Sequence, residues 1–166
     1  MIVLATFLPQ FQPLDNAYYM NFSTFVIMIA KTPKSIIGRR EWASLPLFGL
    51  TKVKVKIDTG AYSSSIHVSK IIEENGILHV VFLDAQHPEF QSNQHIFSSF
   101  RKKNVKSSNG HVQERYFIRT KIVLAGRILN TEFSLTERKG MRYPILIGRK
   151  TLNNRFIVDP SLKYTH

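Results

Sequence analysis

Residues 51–57 alternate without a break: Thr51, Lys52, Val53, Lys54, Val55, Lys56, Ile57. Val53, Val55 and Ile57 fall on one face and three lysines on the other, the period-two pattern of a strand with one side buried. The run leads straight into Asp58-Thr59-Gly60-Ala61. An acid thus follows a buried strand, then a small hydroxyl, then a glycine that permits a sharp turn. The carboxylate is held at the mouth of a β core. Taken alone, the tripeptide Asp-Thr-Gly also fits a surface turn capped by its Asp.

The chain beyond Asp58 continues in the same style. Ser64 to Ile72 leaves the loop, Glu74-Asn75-Gly76 turns it, and Ile77 to Leu83 returns as an apolar strand. Asp84 to Phe100 is polar and irregular, with Pro88 marking a loop. Arg101 to Gly110 is basic and ends in the turn signal Ser107-Ser108-Asn109-Gly110. Glu114 to Leu124, the turn Ala125-Gly126 and Arg127 to Leu135 read as a hairpin. Pro144 to Ile147 is a short buried strand, Gly148 to Asn154 a short helix, and Arg155 to Asp159 a terminal strand. Many short strands with frequent turns predict an all-β barrel.

A second segment raises the weight of Asp58: Pro144-Ile145-Leu146-Ile147-Gly148-Arg149, followed by Leu152. Asp58-Thr59-Gly60-Ala61 and this segment together resemble the retropepsin-like aspartic peptidases, in their active-site loop and in the strand and short helix packed beneath it. The likeness narrows with Ile37-Gly38-Arg39-Arg40-Glu41-Trp42, Glu114-Arg115-Tyr116, Arg138-Lys139-Gly140-Met141-Arg142-Tyr143-Pro144 and Val158-Asp159-Pro160. Taken in order with Lys56 to Ala61, these blocks resemble a bacterial family described as RimB-like or RimK-associated, and often as "ATP-dependent zinc protease". The resemblance covers roughly residues 35 to 162. It implies a closed retropepsin-like β-barrel with one short C-terminal helix.

It also implies a chemistry. Aspartic proteolysis uses two carboxylates about 3 Å apart that share one proton, one acting as base toward water and the other as acid toward the carbonyl. The chain has one Asp-Thr-Gly. A two-fold homodimer with Asp58 from each copy on its axis is therefore expected. By match, Thr59 braces the two loops, Gly60 allows close backbone approach, and Ile147, Gly148 and Arg149 support the loop from below. Ala61, Arg115, Asn109 and Gly110 are the candidate substrate-binding residues, the last two at the tip of a flap closing over substrate. The family usually carries a carboxylate after the Ala, paired with the arginine of the Gly-Arg segment. Here Tyr62 stands in that place, so Glu41, Glu114 or Glu137 is the expected replacement partner of Arg149. Arg115 binds a substrate carboxylate or pairs with a neighbouring acid. Trp42 is expected to anchor its strand in the core.

At 166 residues the chain is long enough for one sound core. It has no cysteine, which excludes disulfides, thiolate catalysis and cysteine-ligated zinc, and suits a cytoplasmic location. No His-Glu-x-x-His motif occurs, and His67, His79, His87, His95 and His111 lack a short ligand spacing. A metal site would need His67 and His111 to approach Asp58; the reading is no metal. No Gly-x-x-x-x-Gly-Lys-Ser/Thr loop occurs, and no cofactor is expected.

The net charge is +12, and all 23 lysines and arginines lie at or after Lys31. Such a field favours acidic partners. Members of the family are associated with RimK-type ligases, which add glutamates to a ribosomal protein. The resemblance and the charge together imply a peptidase acting on glutamate-rich tails, with a RimK-type glutamate ligase as partner. The alternative is an inactive barrel that binds such a ligase or a ribosomal component. Nucleic acid ranks lower, because Phe97 and Phe100 are the only aromatics near the basic run Arg101 to Lys106.

Residues 1 to 30 differ in character: apolar and aromatic, without lysine or arginine. No basic n-region precedes the apolar stretch, as a secretory signal requires, and Pro9, Pro13, Asp15 and Asn16 break every span long enough for a bilayer. No membrane association is expected. The reading is an extension placed before a true start near Met28, disordered or loosely helical, ahead of a peptidase domain at 31–166.

Overall fold

Strands with one buried face must pair until that face is covered, and turn chemistry decides which neighbours they reach. The structure, a computed structural model, describes residues 11–14, 17–22, 25–30, 33–106, 112–137 and 142–166. The chain divides into two compact units, Met1–Pro33 and Lys34–His166. In the first, β1 (Phe11–Leu14), β2 (Ala17–Phe22) and β3 (Phe25–Ala30) form an antiparallel meander. Strands stand where disorder or a helix was expected. The segments AYYMNF and FVIMIA are rich in aromatic and β-branched residues, which favour the pleated conformation.

The second unit holds β4 (Ser35–Gly38), β5 (Arg40–Leu45), a 3-10 turn (Pro46–Phe48), β6 (Leu50–Ile57), β7 (Ser64–Glu74) and β8 (Ile77–Phe82). These are followed by β9 (His95–Phe97), β10 (Arg101–Lys106), β11 (Val112–Leu124), β12 (Arg127–Thr136), β13 (Ile145–Ile147), the helix α1 (Arg149–Leu152) and β14 (Phe156–Asp159). The turns are those the sequence predicts. Asn75 and Gly76 both have positive φ, 51° and 75°, between the paired residues Glu74 and Ile77. Ala125 and Gly126 do the same, at 49° and 70°, between Leu124 and Arg127.

Six strands close on themselves in the order β11, β5, β6, β13, β7, β12 and back to β11. Among the described residues the fold is therefore all-β, a ring of strands with one four-residue helix. Val53, Val55, Ile66, Ile122, Phe133, Ile145 and Ile147 point inward and are fully buried. Each such side chain contributes about 1.5–3 kcal/mol by leaving water. Beyond the ring β7 pairs with β8, and β8 with β9. Phe48 stacks on Phe82 with ring centroids 4.3 Å apart there, and Phe97 meets both edge-on.

Two details matter for the site. β6 and β7 follow each other in sequence but are not neighbours in the sheet, because β13 lies between them. The loop 58–63 must therefore cross the end of β13. β4 pairs in parallel with β14, outside the ring.

Alternation along β5 places Glu41, not Trp42, on the buried side. Glu41 is fully buried, and its carboxylate accepts from the Gly38 N–H at 2.7 Å, the Thr165 N–H at 2.9 Å and the Thr165 hydroxyl at 2.6 Å. Trp42 lies on the outer face, its ring 5.3 Å from that of Tyr164, with the Lys52 and Lys54 ammoniums at 4.8 and 5.3 Å. The expected core tryptophan is thus a surface clamp on the C-terminal segment.

Candidate active site

Asp58 leaves the end of β6 with its N–H bonded to the Ile147 carbonyl at 2.9 Å. Its Oδ1 accepts from the N–H groups of Gly60 and Ala61, both at 3.1 Å. One oxygen of a half-buried carboxyl is therefore fixed by its own loop, while Thr59 and Gly60 form an exposed tip. Charge-assisted bonds of this kind hold a carboxylate in one orientation.

The loop rests on the residues just after β13. Gly148 packs so closely that a Cβ there would lie 2.5 Å from the Ser63 carbonyl oxygen and 2.9 Å from that of Tyr62. The Gly148 N–H bonds to Ser64 Oγ at 3.1 Å, and Ser64 Oγ lies 2.9 Å from Thr151 Oγ1. Arg149 N–H bonds to the Ala61 carbonyl and Lys150 N–H to that of Tyr62, both at 2.9 Å. Ile145 to Ile147 run parallel to Val55 to Ile57, so the supporting strand is laced to the strand carrying the acid.

Among the described residues Arg149 does not find an acid. Its Nη1 donates to the carbonyls of Thr59 at 3.0 Å and Gly60 at 2.8 Å, closing the underside of the loop. Glu41, one expected partner, has spent its carboxylate on Gly38 and Thr165. Glu114 sits on β11 opposite Asn104. Main-chain oxygens of the loop take the place of the missing carboxylate, and Tyr62 stays exposed.

Asp58 opens on a cavity of about 370 Å³ lined by Arg39, Arg40, Lys56, Ile57, Arg142, Tyr143 and Leu146. Four cations thus face the space beside one carboxylate. Arg40 and Arg142 both lie against the Tyr143 ring, at 5.2 and 5.7 Å from its centroid. None of these four cations was singled out as a site residue from the sequence. A signal existed, since Arg39-Arg40, Lys56 and Arg142-Tyr143 all lie in the separated blocks that carry the resemblance.

The other sequence candidates fall elsewhere. Arg115 is on β11 opposite Lys103, donates through Nε to Gln113 at 3.1 Å, and does not line the Asp58 cavity. β10 and β11 pair from Arg101↔Phe117 to Lys106↔Val112, which makes them the arms of a hairpin. Its tip, with Asn109 and Gly110, lies outside the described residues, as does His111. His67 is buried on β7, with Nε2 2.9 Å from Asp84 and Nδ1 3.2 Å from the Thr136 carbonyl. Both nitrogens are engaged away from Asp58, which does not fit a zinc site there. Among the described residues no three His, Asp or Glu side chains form a group able to hold a metal. Among them, too, no helix is long and apolar enough to cross a membrane.

Residues 36–166 match the family model described as RimB-like, retropepsin-like aspartic endopeptidase RimB. A probable alpha-L-glutamate ligase of Shewanella halifaxensis is 38% identical over 134 residues, 77% of this chain and 29% of that protein. A probable alpha-L-glutamate ligase of Desulfotalea psychrophila is 33% identical over 136 residues, 78% of this chain and again 29% of the relative. The chain thus spans less than a third of the length of these relatives. A crystal structure of a Legionella pneumophila protein of unknown function superposes with a TM-score of 0.60 at 27% identity, covering 80% of this chain and 98% of the other.

Proposed function

Because the chain belongs to the RimB-like family of retropepsin-like aspartic endopeptidases, we propose that it hydrolyses peptide bonds with water activated between two copies of Asp58, one from each protomer of a homodimer. The observation that carries this reading is the Asp58 loop. Its carboxyl is fixed at Oδ1 by two amides, half-buried beside the exposed tip of Thr59 and Gly60, and among the described residues no second acid lines its cavity. A twin loop across a two-fold axis supplies that acid. The ionised Asp58 takes a proton from water as its oxygen attacks the scissile carbonyl, and the protonated Asp58 gives its proton to the carbonyl oxygen. Thr59 braces the two loops, and Gly60 permits their approach.

The substrate is an acidic segment, glutamate-rich in the simplest case, and the location is the cytoplasm. Arg39, Arg40, Lys56 and Arg142 around Asp58 offer charge-assisted bonds to substrate carboxylates. Peptidase and glutamate ligase act on the same kind of tail in this reading, which the names of the relatives support. A glutamate-rich peptide is expected to be cut faster than a neutral one, with the preference fading at high salt. Equal rates would sink the acidic-substrate reading, and hydrolysis surviving Asp58→Asn would sink the mechanism. Sedimentation of the chain tests the dimer; a strict monomer at high concentration removes the shared dyad.

The same relatives favour a second reading, in which the domain docks on or forms part of a glutamate ligase without hydrolysing anything. It predicts ligase binding that survives Asp58→Asn, with no cleavage by the parent protein.

A further inference from the structure

A second cluster of charge lies on the outer face of β11 and β12. The Glu132 side chain is only 6% exposed and draws in three cations. Arg101 pairs with it directly, Lys150 Nζ lies at 3.0 Å and Lys103 Nζ at 3.9 Å. Arg119 stands opposite it across the ladder. Three cations therefore share one carboxylate, and a fourth stands beside them. The Lys103 ammonium is pushed to lower pKa, first by desolvation, then by Arg101, Lys150 and Arg119. Two cavities, of about 550 and 330 Å³, both have Arg119 and Glu132 in their walls. Lys121 and Lys150 also line the first, and Arg101, Phe100 and Phe117 the second.

We propose that this face is an anion exosite, distinct from the Asp58 cavity, that seats the carboxylates of a second stretch of an acidic peptide. The excess positive charge calls for an anion, and guanidinium forks pair with carboxylates in two-point contacts. Nucleic acid fits less well. Base stacking needs free aromatic faces, and here Lys102 covers Tyr116 and Lys103 covers Phe117, with Phe100 edge-on to Tyr116. The exosite is also mechanically joined to the loop. Lys150 reaches Glu132 through its side chain and the Tyr62 carbonyl through its N–H. The inference rests on the acidic-substrate reading for the identity of the peptide, and on the geometry alone for the site.

The test is binding of fluorescent decaglutamate to full-length Asp58→Asn protein, followed by anisotropy, so that no cleavage intervenes. Adding Arg101→Gln and Arg119→Gln is expected to weaken binding about tenfold, the avidity lost with one of two linked contacts. Removing a cation elsewhere, by Lys70→Gln, leaves binding within about twofold, since an exposed distant charge is screened. Unchanged affinity in the exosite variant, or an equal loss in the control, overturns the proposal. Oligouridylate binding as tightly as decaglutamate, with the same loss in the exosite variant, overturns the carboxylate assignment. If thermal unfolding shows the double variant to be misfolded, Lys103→Gln with Lys150→Gln provides the same comparison. A parent protein that cuts no peptide yet shows exosite-dependent binding would refute the proposed hydrolysis and leave the exosite standing.

Discussion

Gly148→Ala isolates the contact between the Asp58 loop and its support. The residue has φ −87° and ψ 171°, extended backbone that any residue adopts, so dihedral strain contributes nothing. The cost is crowding: the new methyl would sit 2.5 Å from the Ser63 carbonyl oxygen and 2.6 Å from its carbon. Both are backbone atoms of the loop crossing β13, and neither can rotate aside. Overpacking of this kind costs about 1–3 kcal/mol. For a unit of this size that is a fall in Tm of about 4–12 °C. Gly60→Ala is the internal contrast, because its Cβ would meet only Asp58 Oδ1 at 3.3 Å, and its expected cost is below about 1 kcal/mol. Gly148 also caps α1, so Gly148→Ser separates the two effects. Serine is a good cap but carries the same Cβ. Thermal unfolding by circular dichroism at neutral pH reads all three. The reasoning fails if Gly148→Ala unfolds within about 1 °C of the parent, or if serine restores stability that alanine loses.

Three further outcomes are expected. Glu41→Gln leaves a buried amide facing donors from Gly38 and Thr165, and should cost about 1–3 kcal/mol; hydrogen exchange should rise at Thr165, and unchanged protection there would contradict the assignment. Arg149→Lys loses the two-carbonyl clamp on Thr59 and Gly60 and should lower kcat/KM about tenfold with a small change in Tm, whereas a large drop in Tm with normal turnover would make the arginine purely structural. Burial holds the imidazoles of His87 and His95 below their usual value. The unfolded chain then binds more protons, so their stability contribution is complete above about pH 6.5 and is lost as pH falls through the depressed folded values. Tm should decline over that range and decline less in His95→Phe; a flat profile would refute it.

The parts of the fold set by local chemistry were readable in the chain. Val53, Val55 and Ile57 announce β6, Asn75-Gly76 and Ala125-Gly126 announce their hairpins, and the apolar run before Gly148 announces β13. The parts set by distant partners were not. Arg40-Glu41-Trp42 gives no local sign that the acid points inward, because two of its three donors come from Thr165, 124 residues on. The family resemblance pairs Arg149 with an acid, whereas loop geometry gives it carbonyls. The cations of the Asp58 cavity come from β4–β5, β6 and the segment before β13, and only strand order brings them together.

The Arg149 clamp has a consequence for how acidity acts on the site. An arginine–carboxylate brace is lost when its acid takes up a proton, so the scaffold and the catalytic groups would titrate together. Carbonyl oxygens do not titrate in the working range, and a guanidinium stays charged throughout it. The underside of the loop around Asp58 is therefore held by bonds indifferent to pH. Under the proposed mechanism, a rate profile against pH then reports the protonation of the two Asp58 carboxyls and the binding of substrate charge, free of any softening of this underside of the loop.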